Sequence, residues 1–362
     1  MPIDSYSSTR MESQVIAIGP PATRARRIRH AIVLFCAIAA IAALSGCGDG
    51  SKNSDTNSSA AVAKAASTEV DVASFPQVDG VKSIEQIANA AGAEPDADRL
   101  LPASTDLVAG RETRFPFGIF DAQSRPIWGP TVMYVARSLD APAQGPFAVK
   151  IHELKVAQKF RSKTSADDYG KIGSGFHVVD ISLPKKANKI AMMTLTRVGD
   201  KVHAAATRLP VRSADPAPEP GEKAPSIKTD TLKSAGGDVS KIDTRVPPSD
   251  MHDISLDVAL KQRKPIVLLF ATPLLCASRV CGPVIDVASE VQSKVGPGVT
   301  FIHQEIYNDN DINKGYRKQV GQYGLPSEPF TFVIDTKGRI STALAGPFTT
   351  SELEAAIAKA KG

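Results

Sequence analysis

Two cysteines that stand close together carry the clearest chemical signal in this chain. The segment Cys276-Ala-Ser-Arg-Val-Cys281 places four residues between two thiols. A thiolate attacks disulfides through a mixed-disulfide intermediate, and a helix N-terminus favours the thiolate by lowering its pKa. Pro283 is typical of the first turn of a helix. We therefore predict that Cys281, just before this helix, meets that requirement and that Cys276 reaches it from the preceding loop.

Whether the two cysteines can form a disulfide depends on the local backbone. In a regular helix, a spacing of five residues would direct the two sulfurs to different faces. In an irregular loop, the Cα atoms can approach within the ~7 Å that a disulfide requires. A Cys276–Cys281 disulfide therefore requires that residues 276–281 do not form a regular helix.

The segments that must position these cysteines alternate between strand and helix patterns. A continuous apolar run at 265–270 indicates a strand buried on both faces, and the cysteine loop follows it. The later segments are an amphipathic helix (283–294), a strand (299–306), a polar stretch with helical potential (309–321), two strands (330–335 and 339–345) around a hairpin turn, and a final helix (350–361).

This order, from about residue 250 to 362, resembles the thioredoxin superfamily. The residues that carry the resemblance are Phe270-Ala271-Thr272-Pro273, the cysteines before the Pro283 helix, Ser327-Glu328-Pro329-Phe330-Thr331 and the Asp335–Gly338 hairpin. The resemblance implies an α/β thioredoxin-like domain over 251–362, in which Pro329 is a cis-proline that faces the redox cysteines. The chain departs from the family in one respect, because thioredoxin-like oxidoreductases usually carry Cys-X-X-Cys.

Three functions are compatible with the cysteine pair. In the first, Cys276 and Cys281 catalyse thiol-disulfide exchange on exported proteins, without a cofactor. In the second, they form a structural disulfide in a non-catalytic binding module. In the third, the domain resembles the Sco-type copper metallochaperones and takes His303, or less favourably His252, as a third ligand. Both histidines also fit purely structural roles.

Three further residues near the cysteines have possible roles in their chemistry. Arg279 lies between the cysteines and would either stabilise a thiolate or remain a solvated loop charge. Glu305 and Glu328 flank the expected site, where they would either carry protons or lie on the surface.

Residues 100–212 show a different pattern. Short runs of β-branched and aromatic residues, for example 130–136 and 189–197, alternate with turn clusters. Six or seven short strands in this length predict an all-β Ig-like sandwich, although without the intersheet disulfide of antibody domains. The Pro-rich segment 213–226 begins a predicted linker over 213–250.

The N-terminal residues indicate export. Arginines within 24–30 precede fourteen uncharged apolar residues at 31–44, as in a secretory signal. Leu44-Ser45-Gly46-Cys47 resembles the lipobox of bacterial lipoproteins, in which the cysteine is lipidated. We predict a signal peptide over 1–46 and a flexible tether over 47–80 that begins at lipidated Cys47. A short helical segment over 81–99 would follow.

Charge and compartment restrict the partners of the mature protein. The formal net charge is +5, but residues 1–46 contain five arginines and two acids, which leaves about +2 for the rest. No later stretch concentrates lysine and arginine with aromatic residues, so nucleic-acid binding is not expected. The expected partners are the thiols or disulfides of exported proteins and, through the lipid, the extracytoplasmic face of the cell membrane.

Overall fold

The computed structural model describes residues 52–78, 82–93 and 98–362, which belong to one compact unit. The predicted signal peptide and Cys47 lie outside these residues. Among the helices of the described residues, none has the length and apolar character needed to cross a membrane.

Part of the predicted tether forms a helix that packs on the rest of the molecule. Helix α1 spans Lys52–Ala66 and lies along strand β5 (Lys150–Glu153). Its last turns are rich in alanine, the residue with the highest helix propensity, and Val62 is fully buried. Helix α2 (Ile84–Ala90) lies within the predicted helical segment 81–99.

Residues 98–210 form one eight-stranded sheet. Besides β5, its strands are β1 (Asp98–Pro102), β2 (Glu112–Phe120), β3 (Thr131–Ala136), β4 (Gln144–Ala148), β6 (Gly175–Ser182), β7 (Lys189–Val198) and β8 (Lys201–Pro210). Their order across the sheet is β4-β3-β7-β8-β1-β2-β6-β5. Neighbouring strands are antiparallel, except that β1 runs parallel to β8.

This arrangement differs from the predicted Ig-like sandwich of two sheets. The strands at the two edges, β4 and β5, are consecutive in the chain and separated by Val149 alone. Strand β4 also packs against β6, which is the neighbour of β5 in the sheet. The sheet is therefore strongly curved, and its two edge strands lie close together. Alternating hydrophobicity marks strands, but it does not specify which strands pair, because pairing depends on contacts distant in sequence.

The C-terminal sheet has the arrangement expected of a thioredoxin-like domain. The elements of this region are α4 (Leu256–Ala259), β9 (Ile266–Phe270), α5 (Cys281–Val295), β10 (Thr300–Gln304), α6 (Lys318–Gln322), β11 (Phe330–Ile334), β12 (Ile340–Ala345) and α7 (Thr350–Lys361). A short helix, α3 (Ala166–Lys171), lies earlier in the chain, between β5 and β6. The strand order is β10-β9-β11-β12. Strand β10 is parallel to β9, whereas β11 is antiparallel to both β9 and β12. The hairpin and the final helix lie where the sequence predicted them.

One apolar core joins the two sheets. Helices α5 and α7 pack together, and the core around them includes Val267 and Val333 of the C-terminal sheet. The same core includes Phe176 and Val178 of β6. The burial of apolar surface that stabilises the thioredoxin-like fold is therefore shared with the eight-stranded sheet.

Residues 213–250, the predicted linker, pack along both sheets instead of spanning open solvent. The N–H of Gly221 donates to Ile340 O (2.8 Å), and the N–H of Ile340 donates to Glu222 O (2.9 Å). On the other side, Arg111, which directly precedes β2, forms ion pairs with Asp215 and Glu219. Proline removes a backbone donor, but it leaves the carbonyls and the other N–H groups able to bond.

The start of helix α5 lies so close to the loop before α3 that only glycine fits there. A Cβ atom on Gly282 would stand 2.6 Å from Ser165 Cβ, which is a crowded position close to the backbone. We expect Gly282→Ala to lower the free energy of unfolding by about 1–3 kcal/mol, because helix and loop must separate. Urea denaturation measures this change.

Gly321→Ala in helix α6 is the matched control, because no atom lies within 4 Å of its added Cβ. This variant should be neutral or up to about 1 kcal/mol more stable, since alanine favours a helix. Equal effects of the two substitutions would contradict the close approach at Gly282.

Candidate thiol site

The two cysteines meet at the start of helix α5. Cys276 lies in the loop that follows β9, and Cys281 is the first residue of α5. The N–H of Cys281 donates to Cys276 Sγ over 3.3 Å. Both residues are free cysteines, and the two Sγ atoms and a carboxylate oxygen of Glu328 lie within 4.8 Å of one another. The irregular backbone before Cys281 makes this possible in spite of the five-residue spacing.

The two thiols have opposite electrostatic environments. The pKa of Cys276 is lowered to about 6 by hydrogen bonds from the Cys281 side chain, from the Ser278 hydroxyl and from the N–H groups of Cys281 and Val280. The pKa of Cys281 is raised well above 9, first by burial and then by Cys276 and Glu328. Cys276 is partly exposed, whereas Cys281 is fully buried.

The sequence-based assignment of the activated thiol to Cys281 is therefore reversed. The N–H groups of the first helical turn have no partner inside the helix and point back toward the preceding loop. The sulfur that benefits is in that loop, on Cys276, while Cys281 supplies one of the N–H groups. A thiol with a pKa near 6 is largely ionised at neutral pH, so Cys276 has the properties of a nucleophile.

Glu328 is the third member of the cluster. The Glu328–Pro329 peptide bond is cis and lies directly before strand β11. Oε2 of Glu328 is buried and has no hydrogen-bond partner among the described residues. Burial, the Cys276 thiolate and Glu305 together raise the pKa of Glu328 to about 8. Near neutral pH this carboxyl can both hold and release a proton beside the two sulfurs.

Arg279 and Glu305 contact other groups. The guanidinium of Arg279 is half exposed and forms an ion pair with Asp168 of α3 (Nη1–Oδ1, 3.4 Å). Glu305 is fully buried and accepts hydrogen bonds from the N–H and hydroxyl of Thr244. Glu305 is therefore a buried acid as the proton-carrier hypothesis required, but Glu328 is the acid that lies beside the sulfurs.

His303 and His252 belong to a separate buried cluster around Asp243. His252 Nε2 lies 2.9 Å from Asp243 Oδ2, and His303 Nδ1 lies 3.5 Å from the same oxygen. The other ring nitrogen of His303 is 3.0 Å from Ala271 O. The proposed Sco-type set of two cysteines and His303 is not assembled in the described structure, because these contacts hold the imidazole elsewhere and Glu328 stands near the sulfurs.

Sequence reasoning missed the buried acid that fixes helix α5. Asp286 accepts hydrogen bonds from Ser162 N (3.2 and 3.1 Å) and Ser165 Oγ (2.6 Å). It also forms a buried ion pair with Arg245 (Nε–Oδ1, 3.0 Å). The sequence did contain a sign of this role, because Asp286 is a single carboxylate within the apolar run 284–288. A helix buries such a carboxylate only when its charge has partners.

Comparisons with known proteins add little to this geometry. No protein-family model matches the chain, and no curated protein sequence matches it significantly. A thioredoxin-family thiol:disulfide interchange protein from Chlorobium tepidum TLS is 18% identical over 40% of this chain and 100% of its own, with a TM-score of 0.29. The Escherichia coli adhesin FdeC is 14% identical over 38% of each chain, with a TM-score of 0.17. Because similarity this low carries no argument, the thioredoxin-like description of residues 251–362 rests on the order and directions of their strands.

Proposed function

We propose that this protein catalyses thiol-disulfide exchange on exported proteins, with Cys276 as the attacking thiol and Cys281 as the resolving thiol. One observation carries the proposal. The thiol of the partly exposed residue Cys276 has a lowered pKa, and its sulfur lies within 4.8 Å of a buried thiol and a buried carboxyl. Exchange chemistry needs an ionised, accessible nucleophile and a second thiol within reach, and this arrangement supplies both.

In the reducing direction the reaction has two steps. The Cys276 thiolate attacks one sulfur of the partner's disulfide, forms a mixed disulfide, and releases the other partner sulfur as a thiolate that takes up a proton from water. The ionised Cys281 then attacks Cys276 Sγ and releases the first partner sulfur. Two electrons pass to the partner, and the Cys276–Cys281 disulfide remains until an external dithiol reduces it.

The second step needs a proton acceptor, because the pKa of Cys281 is raised well above 9. Glu328 lies within 4.8 Å of Cys281 Sγ and has a pKa of about 8, so its ionised form is matched to this task. Once the partner's sulfur joins Cys276, the thiolate charge beside Glu328 disappears. The pKa of Glu328 then falls, which favours the ionised acceptor when it is needed.

The proposal places this chemistry at the extracytoplasmic face of the membrane. Its support is the order of features in the sequence: a basic segment, an apolar run, a lipobox ending at Cys47, and a polar stretch. Exported proteins acquire disulfides in this compartment, and they are the expected partners.

Reduction of insulin by the purified protein, with dithiothreitol as the reductant, tests the proposal. We expect turnover by the native protein, none by a Cys276→Ser/Cys281→Ser variant, and a reduction potential above about −300 mV. A potential below that value, together with no turnover, would identify a structural disulfide and overturn the exchange function.

A further inference from the structure

A groove of about 540 Å³ opens between the eight-stranded sheet and the cysteine loop. Leu101 and Phe120 contribute to it from strands β1 and β2, and the partly exposed Trp128 adds aromatic surface, while the buried Phe117 and Phe176 support the wall from the core. The remaining wall is formed by residues 277–280, which stand between the two cysteines. This volume is within the range of protein pockets that bind small ligands or side chains.

The side chain of Ser278 links the groove to the attacking sulfur. Ser278 lines the groove, and its Oγ lies 3.3 Å from Cys276 Sγ. A polypeptide whose cysteine is bonded to Cys276 would therefore have neighbouring residues beside the groove, since successive residues of an extended chain advance about 3.3 Å.

The charged side chains that line the groove are cations, and two of them, Lys171 and Arg279, pair with Asp167 and Asp168, which do not line it. Arg99, Lys171 and Arg279 line it, and none of its described lining residues is acidic. Ser124 positions Arg99 through a hydrogen bond from Nη2 to Oγ (2.6 Å), and Asp168 positions Arg279. An aromatic and aliphatic surface with cations around it is complementary to a large apolar side chain next to a carboxylate.

We propose that this groove binds the partner polypeptide beside its reacting cysteine and selects segments with a large apolar residue next to an acidic one. The inference rests on the proposed function and adds a substrate class to it. The eight-stranded sheet then supplies specificity, while the thioredoxin-like sheet supplies the chemistry.

Trp128 provides a direct reporter, because it is the chain's single tryptophan and lines the groove. The Cys276→Ser/Cys281→Ser protein is titrated with three S-methylated, tryptophan-free peptides that contain Phe-Glu-Cys, Phe-Lys-Cys or Ala-Glu-Cys. Binding is followed by tryptophan fluorescence. We expect the first peptide to bind at least about tenfold more tightly than either of the others.

Leu101→Glu tests the location, because Leu101 is 47% exposed and the substitution adds a negative charge to the groove wall. It should weaken the Phe-Glu-Cys peptide about tenfold. Val198→Glu is the matched control at a 42% exposed strand position that is not among the groove residues, and it should change affinity less than twofold. Circular dichroism verifies that both variants are folded.

The outcomes separate this inference from the proposed function. Exchange of the native protein with bis(2-hydroxyethyl) disulfide, a small neutral substrate, tests the cysteines without the groove. If this exchange occurs but the three peptides bind equally or not at all, the groove inference is wrong. Equal weakening by Leu101→Glu and Val198→Glu would also overturn it. If the peptides bind as expected and no exchange occurs, the groove remains a peptide site and the exchange function fails.

Discussion

Replacing Cys276 by serine is expected to abolish disulfide exchange, with a loss of about a thousandfold or more in the rate of attack on a partner disulfide. The thiol with a pKa of about 6 is then gone, and the remaining thiol is fully buried with a raised pKa. Stopped-flow kinetics with a model disulfide measure this rate.

Cys281→Ser should behave differently, and the contrast tests the reversed roles of the two thiols. This variant keeps a nucleophile at position 276, so we expect it to attack and then accumulate a mixed disulfide that mass spectrometry detects. Its attack rate will also fall to some extent, since the Cys281 side chain is the leading cause of the lowered Cys276 pKa. A stable adduct on Cys281 in the Cys276→Ser protein would contradict the assignment and restore the one made from the sequence.

Replacing Glu328 by glutamine is expected to slow the resolving step by about 10²–10⁴-fold near neutral pH. Glutamine keeps the shape of the side chain but cannot accept the proton of Cys281. In the native protein, resolution should become faster as the pH rises through the pKa of Glu328 in the mixed disulfide, which lies below about 8 because the Cys276 thiolate charge is gone. The decay of a preformed mixed disulfide on Cys276 measures this step.

The same substitution should make the folded protein more stable in alkaline solution. The pKa of Glu328 is raised from 4.5 to about 8, so the folded state binds more protons than the unfolded state between these values. Stability associated with this group therefore falls as the pH rises from 4.5 to 8. Glu328→Gln removes that loss, and its melting temperature should exceed that of the native protein at pH 8.

Glu354→Gln on helix α7, a half-buried acid that pairs with Lys294 and lies outside the cluster of the two sulfurs and Glu328, is the control for both measurements. It should leave the resolving step unchanged and should not raise the melting temperature. If Glu328→Gln resolved at the native rate, the proton of Cys281 would have another acceptor and the role assigned to Glu328 would be wrong.

The sequence predicted the C-terminal sheet well because its signals are local. The apolar run at 266–270, the turn at Asp335–Gly338 and the amphipathic pattern of α5 each depend on neighbouring residues. Six or seven short strands were also predicted over 100–212, where the other sheet has eight. Their closure into one curled sheet was not, because it depends on pairs such as β1 with β8, about a hundred residues apart.

The sequence named both cysteines and Glu328, which the structure brings together, but it did not show which thiol is activated. That difference depends on the direction of the N–H groups at the start of α5 and on the depth at which each sulfur lies. The cluster of Asp243 with the two histidines could not be foreseen either, because Asp243 falls in the segment predicted to be a linker.

The partners of Asp286 have a consequence for any attempt to transplant the redox centre. Two of them, Ser162 and Ser165, and the cation Arg245 precede residue 251 in the chain. A gene fragment that encodes 251–362 alone would keep both cysteines but would leave this interior carboxylate without its cation and without these hydrogen-bond donors. The thioredoxin-like segment is therefore not expected to fold stably when it is expressed alone. The redox centre of this protein therefore depends on residues that come before the thioredoxin-like segment in the chain.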